Sequence, residues 1–412
     1  MGLLPESGRS RIVTAILAAT ALLLVILIIL YPDQVFQSSL GGLRLWWTVL
    51  LPGLLPFYIL VEIVTGLGLT RAFGALFEPL LRVLFRIPHG GGGALSIGLL
   101  AGYPVGAEAT LQLYAKKPLQ QVEASRLLSL SHLCSPATMV TVIGASFLHS
   151  IHAGVFIAAV HYIAAFGVAL LFRVLPDGSK QQMDEPTLRT EGMAARFFRA
   201  MSEARLEDGR TFGKLLGEAV AHAIQTLFSL SGFIIFFSVL TRMISIQLPE
   251  AWSGTSLIPA LLEPHLGSYS AVVQAKGGIW LYSVIGAVLA WSGLSQHLLV
   301  RGIISGSSIR YLPFFAGRCL HAAFAFILTF ALGTPLADWL SSEPSSFLPT
   351  IGTSHVMDTM VTPQVSFVSL WPEFWLSAGQ ASSLAILAFG CLTMLTFLLS
   401  PILNGKNRRT RR

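Results

Sequence analysis

Charge is what this 412-residue sequence has least of. Asp, Glu, Lys and Arg together make 11% of it, against roughly a quarter in soluble proteins. Apolar residues make 53%, so the chain is long and apolar enough for about eight to ten membrane spans. Cysteine is scarcer still. Cys134, Cys319 and Cys391 lie in apolar stretches with no C-x-x-C spacing, which excludes a disulfide framework or a thiolate metal site and leaves small core residues. The four glycines after His89 lack the Lys-Ser/Thr ending of a phosphate loop. No H-E-x-x-H is present, nor a G-x-S-x-G following a strand. The sequence therefore reads as neither ATPase nor hydrolase. It calls for no cofactor beyond a coupling H+ or Na+.

The charge that is present leans basic, with 27 Lys and Arg against 20 Asp and Glu. It lies in short loops and in a tail holding Lys406, Arg408, Arg409, Arg411 and Arg412. That is the pattern of the positive-inside rule, not of nucleic-acid binding. The expected partners are a lipid bilayer and a small-molecule anion, with oligomerisation left open. After Arg11, residues 12–31 form an apolar run of bilayer length with nothing cleavable around Tyr31-Pro32-Asp33. They are expected to form a retained first helix of a bacterial multi-pass membrane protein, with Arg9 and Arg11 cytoplasmic.

The expected organisation follows from the apolar runs. Residues 1–40 carry the N-terminal helix. Residues 41–175 hold a first repeat, with a long apolar segment at 43–69, an amphipathic stretch at 71–88 too short to span, and spans at 127–148 and 154–174. Residues 176–211 form a polar cytoplasmic linker with six Lys/Arg and seven Asp/Glu, in which 193–208 is capable of a surface helix. Residues 212–335 hold a second repeat with spans at 212–244, 280–300 and 313–332. An acidic loop at 336–380 has no Lys or Arg, which favours the outer side. Residues 381–412 carry a last span and the basic tail.

Internal similarity supports two related halves. Leu50-Leu-Pro-Gly-Leu-Leu-Pro resembles the stretch from Leu227, and Phe77-Glu78-Pro79 is echoed by Leu262-Glu263-Pro264. The run Gly98 to Glu108 is echoed by Gly286 to His297, and Ser125-Arg126 by Gly317-Arg318. The four landmarks keep one order. An inverted repeat with the linker inside places the C-terminus outside, whereas the basic tail places it inside. Following the charge rule for the tail implies one uncounted span or re-entrant segment in the second half.

Gly102-Tyr103-Pro104-Val-Gly106 interrupts an apolar segment with residues that remove an N–H and a side-chain restraint. Backbone left unpaired at membrane depth is tolerated only inside protein or against a watery cavity. The helix expected to restart after Gly106 would direct its first N–H groups into the break, as a seat for an anion. Trp291-Ser292-Gly293-Leu-Ser295 repeats the arrangement, with Ser292 or Ser295 as cap. Paired broken helices point to a transporter's substrate site, the alternative being packed Pro/Gly kinks. Glu78 and Glu263, with Glu108 and His297 just past the two breaks, are candidates for ion or proton coupling; at an interface the two Glu-Pro glutamates would simply be solvated. Arg126 and Arg318 suit a carboxylate ligand, or else anchor helix ends. Ser131, His132 and Ser135 follow Arg126 at helical spacing.

Gly102-Tyr-Pro-Val-Gly-Ala107, Leu262-Glu-Pro264, Trp291 to His297 and Ser305 to Phe315 together resemble the YlbJ-type sporulation integral membrane protein family, over about residues 43–332. That resemblance implies paired nucleoside-recognition Gate domains, distantly similar to concentrative nucleoside transporters. It also implies a stage V sporulation role, moving dipicolinic acid out of the mother cell across the outer forespore membrane. Glu263-Pro264-His265-Leu266 departs from the small, Thr/Gly-rich stretch usual in the family, so the resemblance assigns Pro264 and His265 no role. The reading is an all-α polytopic membrane protein with two Gate-like repeats and broken helices, acting as a secondary transporter of a small anion. A nucleoside or nucleobase carrier and a non-transporting sporulation scaffold are the alternatives.

Overall fold

The computed structural model describes residues 8–87, 90–116, 119–174, 192–248, 255–275 and 277–340. The expected acidic loop beyond residue 340, the last span, the basic tail and Cys391 lie outside the described residues, as does 175–191 of the linker. Every element among the described residues is helical, as apolar spans without a closed barrel must be. Among the described residues, five helical segments are long and apolar enough to cross a bilayer: Pro32–Gly66, Ile151–Arg173, Phe212–Ser245, Ile279–Ile303 and Tyr311–Leu336.

The chain opens with α1 (Gly8–Leu30), whose side chains from Leu22 to Leu30 are largely exposed and apolar, a lipid-facing surface. α2 runs continuously over Pro32–Gly66, so the apolar segment expected from 43 begins eleven residues earlier, at a proline suited to a first helical turn. Its π turn at Trp46–Leu50 precedes Pro52, which withdraws an N–H from the ladder. α3 (Leu69–Phe85) is the amphipathic, non-spanning helix the sequence predicts. Pro79 sits in its interior and leaves the Ala75 carbonyl, four residues back, without its helical donor.

That donor comes from the linker. α9 (Met193–Asp208) has no buried residue, yet it is more than a solvated connector. Arg196 Nη2 donates to Ala75 O at 3.0 Å, Phe197 packs edge-on to Phe73, and Arg71 pairs with Glu207 at 2.7 Å. α4 (Gly91–Ala101) and α5 (Val105–Lys116) flank the first predicted break.

The span expected at 127–148 is not one helix. α6 (Gln121–Ser131) ends in a four-residue non-helical stretch, and π-helical α7 (Thr138–Phe147) follows. Ser135 precedes Pro136, which disfavours helix at the residue before it. α8 (Ile151–Val174) and α10 (Phe212–Ser245) match their expected spans within three residues. The second half continues with α11 (Leu257–Leu262) and α12 (Pro264–Gln274), two short helices that the sequence reading leaves unassigned beyond the Glu-Pro echo. The span expected at 280–300 divides into α13 (Ile279–Trp291) and α14 (Gly293–Ile303). α15 (Tyr311–Gly333) packs on α13 and α8 and is followed by a 3-10 turn at Thr334–Leu336 and a short helix at Ala337–Leu340.

Candidate functional site

Among the described residues, each half has a pair of helix interruptions that press on one another. In the first, Gly102 adopts φ +78°, and a Cβ there would lie 2.7 Å from Ser135 N; only glycine suits both demands. The Tyr103 amide donates to Leu133 O at 2.7 Å, joining the break at 102–104 to the break at 132–135. Gly98 and Gly106 both abut Ser131 O, where a Cβ would come within 2.0 Å. Ser131 Oγ in turn donates to Gly106 O at 3.0 Å and lies 2.7 Å from Thr110 Oγ1. The ends of α4, α5 and α6 are thereby locked at one point.

In the second half the interruptions are Glu263 and Ser292. Glu263 is extended and caps α12, its Oε2 accepting the Leu266 amide at 2.7 Å. Ser292 and Gly293 both have positive φ, +66° and +72°. A Cβ on Gly293 would meet Pro264 Cδ at 2.8 Å and Glu263 Cα at 2.9 Å. The Glu-Pro echo in the sequence therefore has two structural outcomes. Glu78-Pro79 sits inside unbroken α3, with Glu78 Oε1 accepting the Gly90 amide at 2.9 Å, while Glu263-Pro264 is itself a break.

Between the halves lies a cavity of about 390 Å³, within the range of small-molecule sites. Tyr103, Pro104 and Glu108 line it from the first break and α5, and Ser135 and Thr138 from the second break and α7. Leu54 and Tyr58 of α2 contribute one wall, and His265 of α12 with Gln296 of α14 another. The remaining wall is a stripe on α10: His222, Gln225, Thr226 and Ser229, followed by Phe233. The start of α5, the Ser135-capped start of the helix entering α7, and the Glu263-capped start of α12 all border this space. Helix N-termini favour negative charge.

Of the candidates read from sequence, Tyr103, Pro104 and Glu108 line the cavity, and Gly102 and Gly106 shape it from behind. Ser135 also lines it, whereas Ser131 and His132 do not. Arg318 is fully buried and donates to His132 O at 2.7 Å and to Ser129 O, tending main-chain carbonyls at the end of α6. Arg126 Nη2 donates to Phe172 O at 3.3 Å. Neither arginine is among the residues lining the cavity. His297 has both ring nitrogens engaged, with Tyr311 Oη at 2.8 Å and Trp291 O at 3.2 Å, and Trp291 packs over its ring at 4.2 Å. Trp291, Ser292, Gly293 and Ser295 lie outside the lining, as do Glu78 and Glu263. Glu263 reaches the site through its neighbour His265, 2.7 Å away.

The α10 stripe escaped the sequence reading although its signal was present. His222, Gln225, Thr226 and Ser229 recur at three- and four-residue spacing in an otherwise apolar span, which places them on one helix face.

The nucleoside-recognition family model, Gate, matches residues 47–149, the stretch from α2 through both interruptions of the first half. The sporulation integral membrane protein YlbJ of Bacillus subtilis (strain 168) is 32% identical over 344 residues, covering 79% of this chain and 84% of that protein. No solved structure matches.

Proposed function

The chain belongs to the family of the sporulation integral membrane protein YlbJ, and from that premise we propose that it is a secondary transporter of a small anionic metabolite, with dipicolinate as its substrate. The observation that carries the reading is the cavity between the halves, bordered by interrupted helices and by the polar stripe of a long membrane helix. Polar side chains within a span are costly and are kept where they meet a pathway. Helix ends at membrane depth are tolerated inside protein or against such a cavity, and those of a transporter border its substrate site. A small planar dicarboxylate suits this space: helix N-termini meet its carboxylates, and Tyr103 and Tyr58 offer aromatic faces to its ring.

In this mechanism the paired interruptions of each half move against the long helices α2 and α10, exposing the cavity to one side and then the other, as an inverted repeat permits. The membrane concerned is the mother-cell-derived outer forespore membrane. Glu108 stands in the lining as a coupling group for H+ or Na+.

The Gate match supports a second reading, a nucleoside or nucleobase carrier. Competition separates the two. In vesicles carrying the full chain, uptake of labelled dipicolinate should resist excess uridine or adenosine. Uptake of labelled uridine with none of dipicolinate would establish the second reading, and no flux of either would leave the scaffold.

A further inference from the structure

The cavity poses a problem of charge. A carboxylate brought to membrane depth needs a positive partner, because an unpaired buried charge is strongly disfavoured. Among the described residues lining the cavity none is lysine or arginine, and Glu108 adds negative charge. Arg318 and Arg126 spend their guanidinium groups on main-chain carbonyls. What the lining does offer is two imidazoles, His222 and His265.

The two differ in setting. His222 is 57% exposed and bonds Glu62 of α2 at 2.6 Å. His265 is 4% exposed, and its Nδ1 lies 2.7 Å from Oε1 of Glu263, itself 1% exposed. The other oxygen of Glu263 is fixed by the Leu266 amide, so the carboxylate is held in place before any ligand arrives. A helix N-terminus by itself disfavours a cation; a carboxylate fixed against Nδ1 offsets that and leaves Nε2 as the nitrogen for a ligand. Gln296 lines the same cavity at 3% exposure, and its Oε1 has no hydrogen-bond partner in the protein. An amide oxygen accepts and cannot bond a carboxylate, so Gln296 meets the anion through its side-chain N–H, with the oxygen left for a donor such as water.

We propose that His265, oriented by Glu263, is the residue that recognises the carboxylate of the transported anion, with its charge supplied by a proton taken up together with that anion. The proposal rests on the transport reading above. The proton comes from the aqueous side onto imidazole Nε2, N–H then donates to the carboxylate, and on release the proton leaves with the anion. No covalent bond forms. Besides Glu263, the titratable groups facing this site are Glu108 of α5, His222 of α10 with its partner Glu62, and the phenols of Tyr103 and Tyr58. Of the other helices against α12, the helices α11, α13 and α7 carry no Asp, Glu, Lys, Arg or His, and α14 carries His297 and Arg301, both outside the lining.

The test uses liposomes holding the full chain and a pH-sensitive dye in the lumen, with dipicolinate added outside. Aromatic carboxylates stay ionised from about pH 6 to 8, so any pH dependence there belongs to the protein. Dipicolinate entry should acidify the lumen, and uptake at pH 6 should exceed uptake at pH 8 by about tenfold. His265→Gln should flatten that profile. Glu263→Gln keeps an oxygen for the Leu266 amide but loses the charge that orients His265, and should weaken uptake. Wild-type uptake without acidification and equal at both pH values overturns the proposal while transport stands. So does a His265→Gln variant that melts like wild type and keeps the wild-type profile. No dipicolinate flux at any pH overturns the transport reading, and this proposal with it.

Discussion

Arg318 of α15 donates to the main-chain carbonyl of His132, 2.7 Å away at the end of α6. One side chain from the second half thus completes a helix terminus of the first. The last carbonyls of a helix have no partner within it, and here they end inside protein, where water cannot reach them.

The consequence is a stability effect. Arg318→Ala leaves those carbonyls and a side-chain-sized void buried, and should cost about 3 kcal/mol. Thermal melting in detergent should show a clear fall, with Arg318→Lys intermediate. A variant that melts like wild type would contradict this account of the join between halves.

Two glycine substitutions on α4 and α5 should part company. Gly106→Ala drives a Cβ to within 2.0 Å of Ser131 O, whereas a Cβ at Gly93 has nothing within 4 Å. Gly106→Ala should destabilise by about 2 kcal/mol or more. Gly93→Ala should be neutral or stabilising, since alanine is the better helix former. Melting of the two variants side by side checks both.

The contrast shows how far sequence carried. Breaks at 102–104 and at 292 were legible because glycine, proline and serine interrupt apolar runs there. The break at 132–135 was not read, because Ser131, His132 and Ser135 follow Arg126 at helical spacing and Pro136 is the one proline in residues 127–148. Glu78 and Glu263 looked equivalent in sequence, yet the first lies in an unbroken helix and the second caps a new one. What separates them lies outside the local sequence, for Pro79 is tolerated because Arg196, 121 residues beyond Ala75, serves the freed Ala75 carbonyl. The same limit applied to Arg126 and Arg318, whose main-chain partners lie 46 and 186 residues away.

Arg196 provides its own test. Arg196→Ala removes the donor to Ala75 O and should cost about 1 kcal/mol. Hydrogen exchange should quicken in α9 and around Ala75 together. Faster exchange in α9 alone would mean that the linker helix does not support α3.

The turn from α9 into α10 should respond to acid. The Arg210 side chain, hydrogen-bonded to Asp208, holds that carboxyl below its ordinary value of 3.8. The folded state thus favours the carboxylate, so its contribution is present above the unfolded value and is lost as pH falls through the lowered one. Asp208→Asn should speed amide exchange at residues 209–215 at neutral pH. Well below pH 3.8 the variant and the wild type should converge; a difference that persists there would contradict the assignment.

The central claim is that the cavity between the halves is where the anion passes, and filling it tests that most directly. Thr226 faces the cavity on α10, whereas Phe228 on the same helix is 56% exposed and outside the lining. Labelled dipicolinate flux should be measured in vesicles bearing wild type, Thr226→Phe or Phe228→Leu, each matched for insertion and melting. The account predicts that Thr226→Phe loses flux by roughly tenfold or more while Phe228→Leu keeps it. Undiminished flux through Thr226→Phe would contradict it.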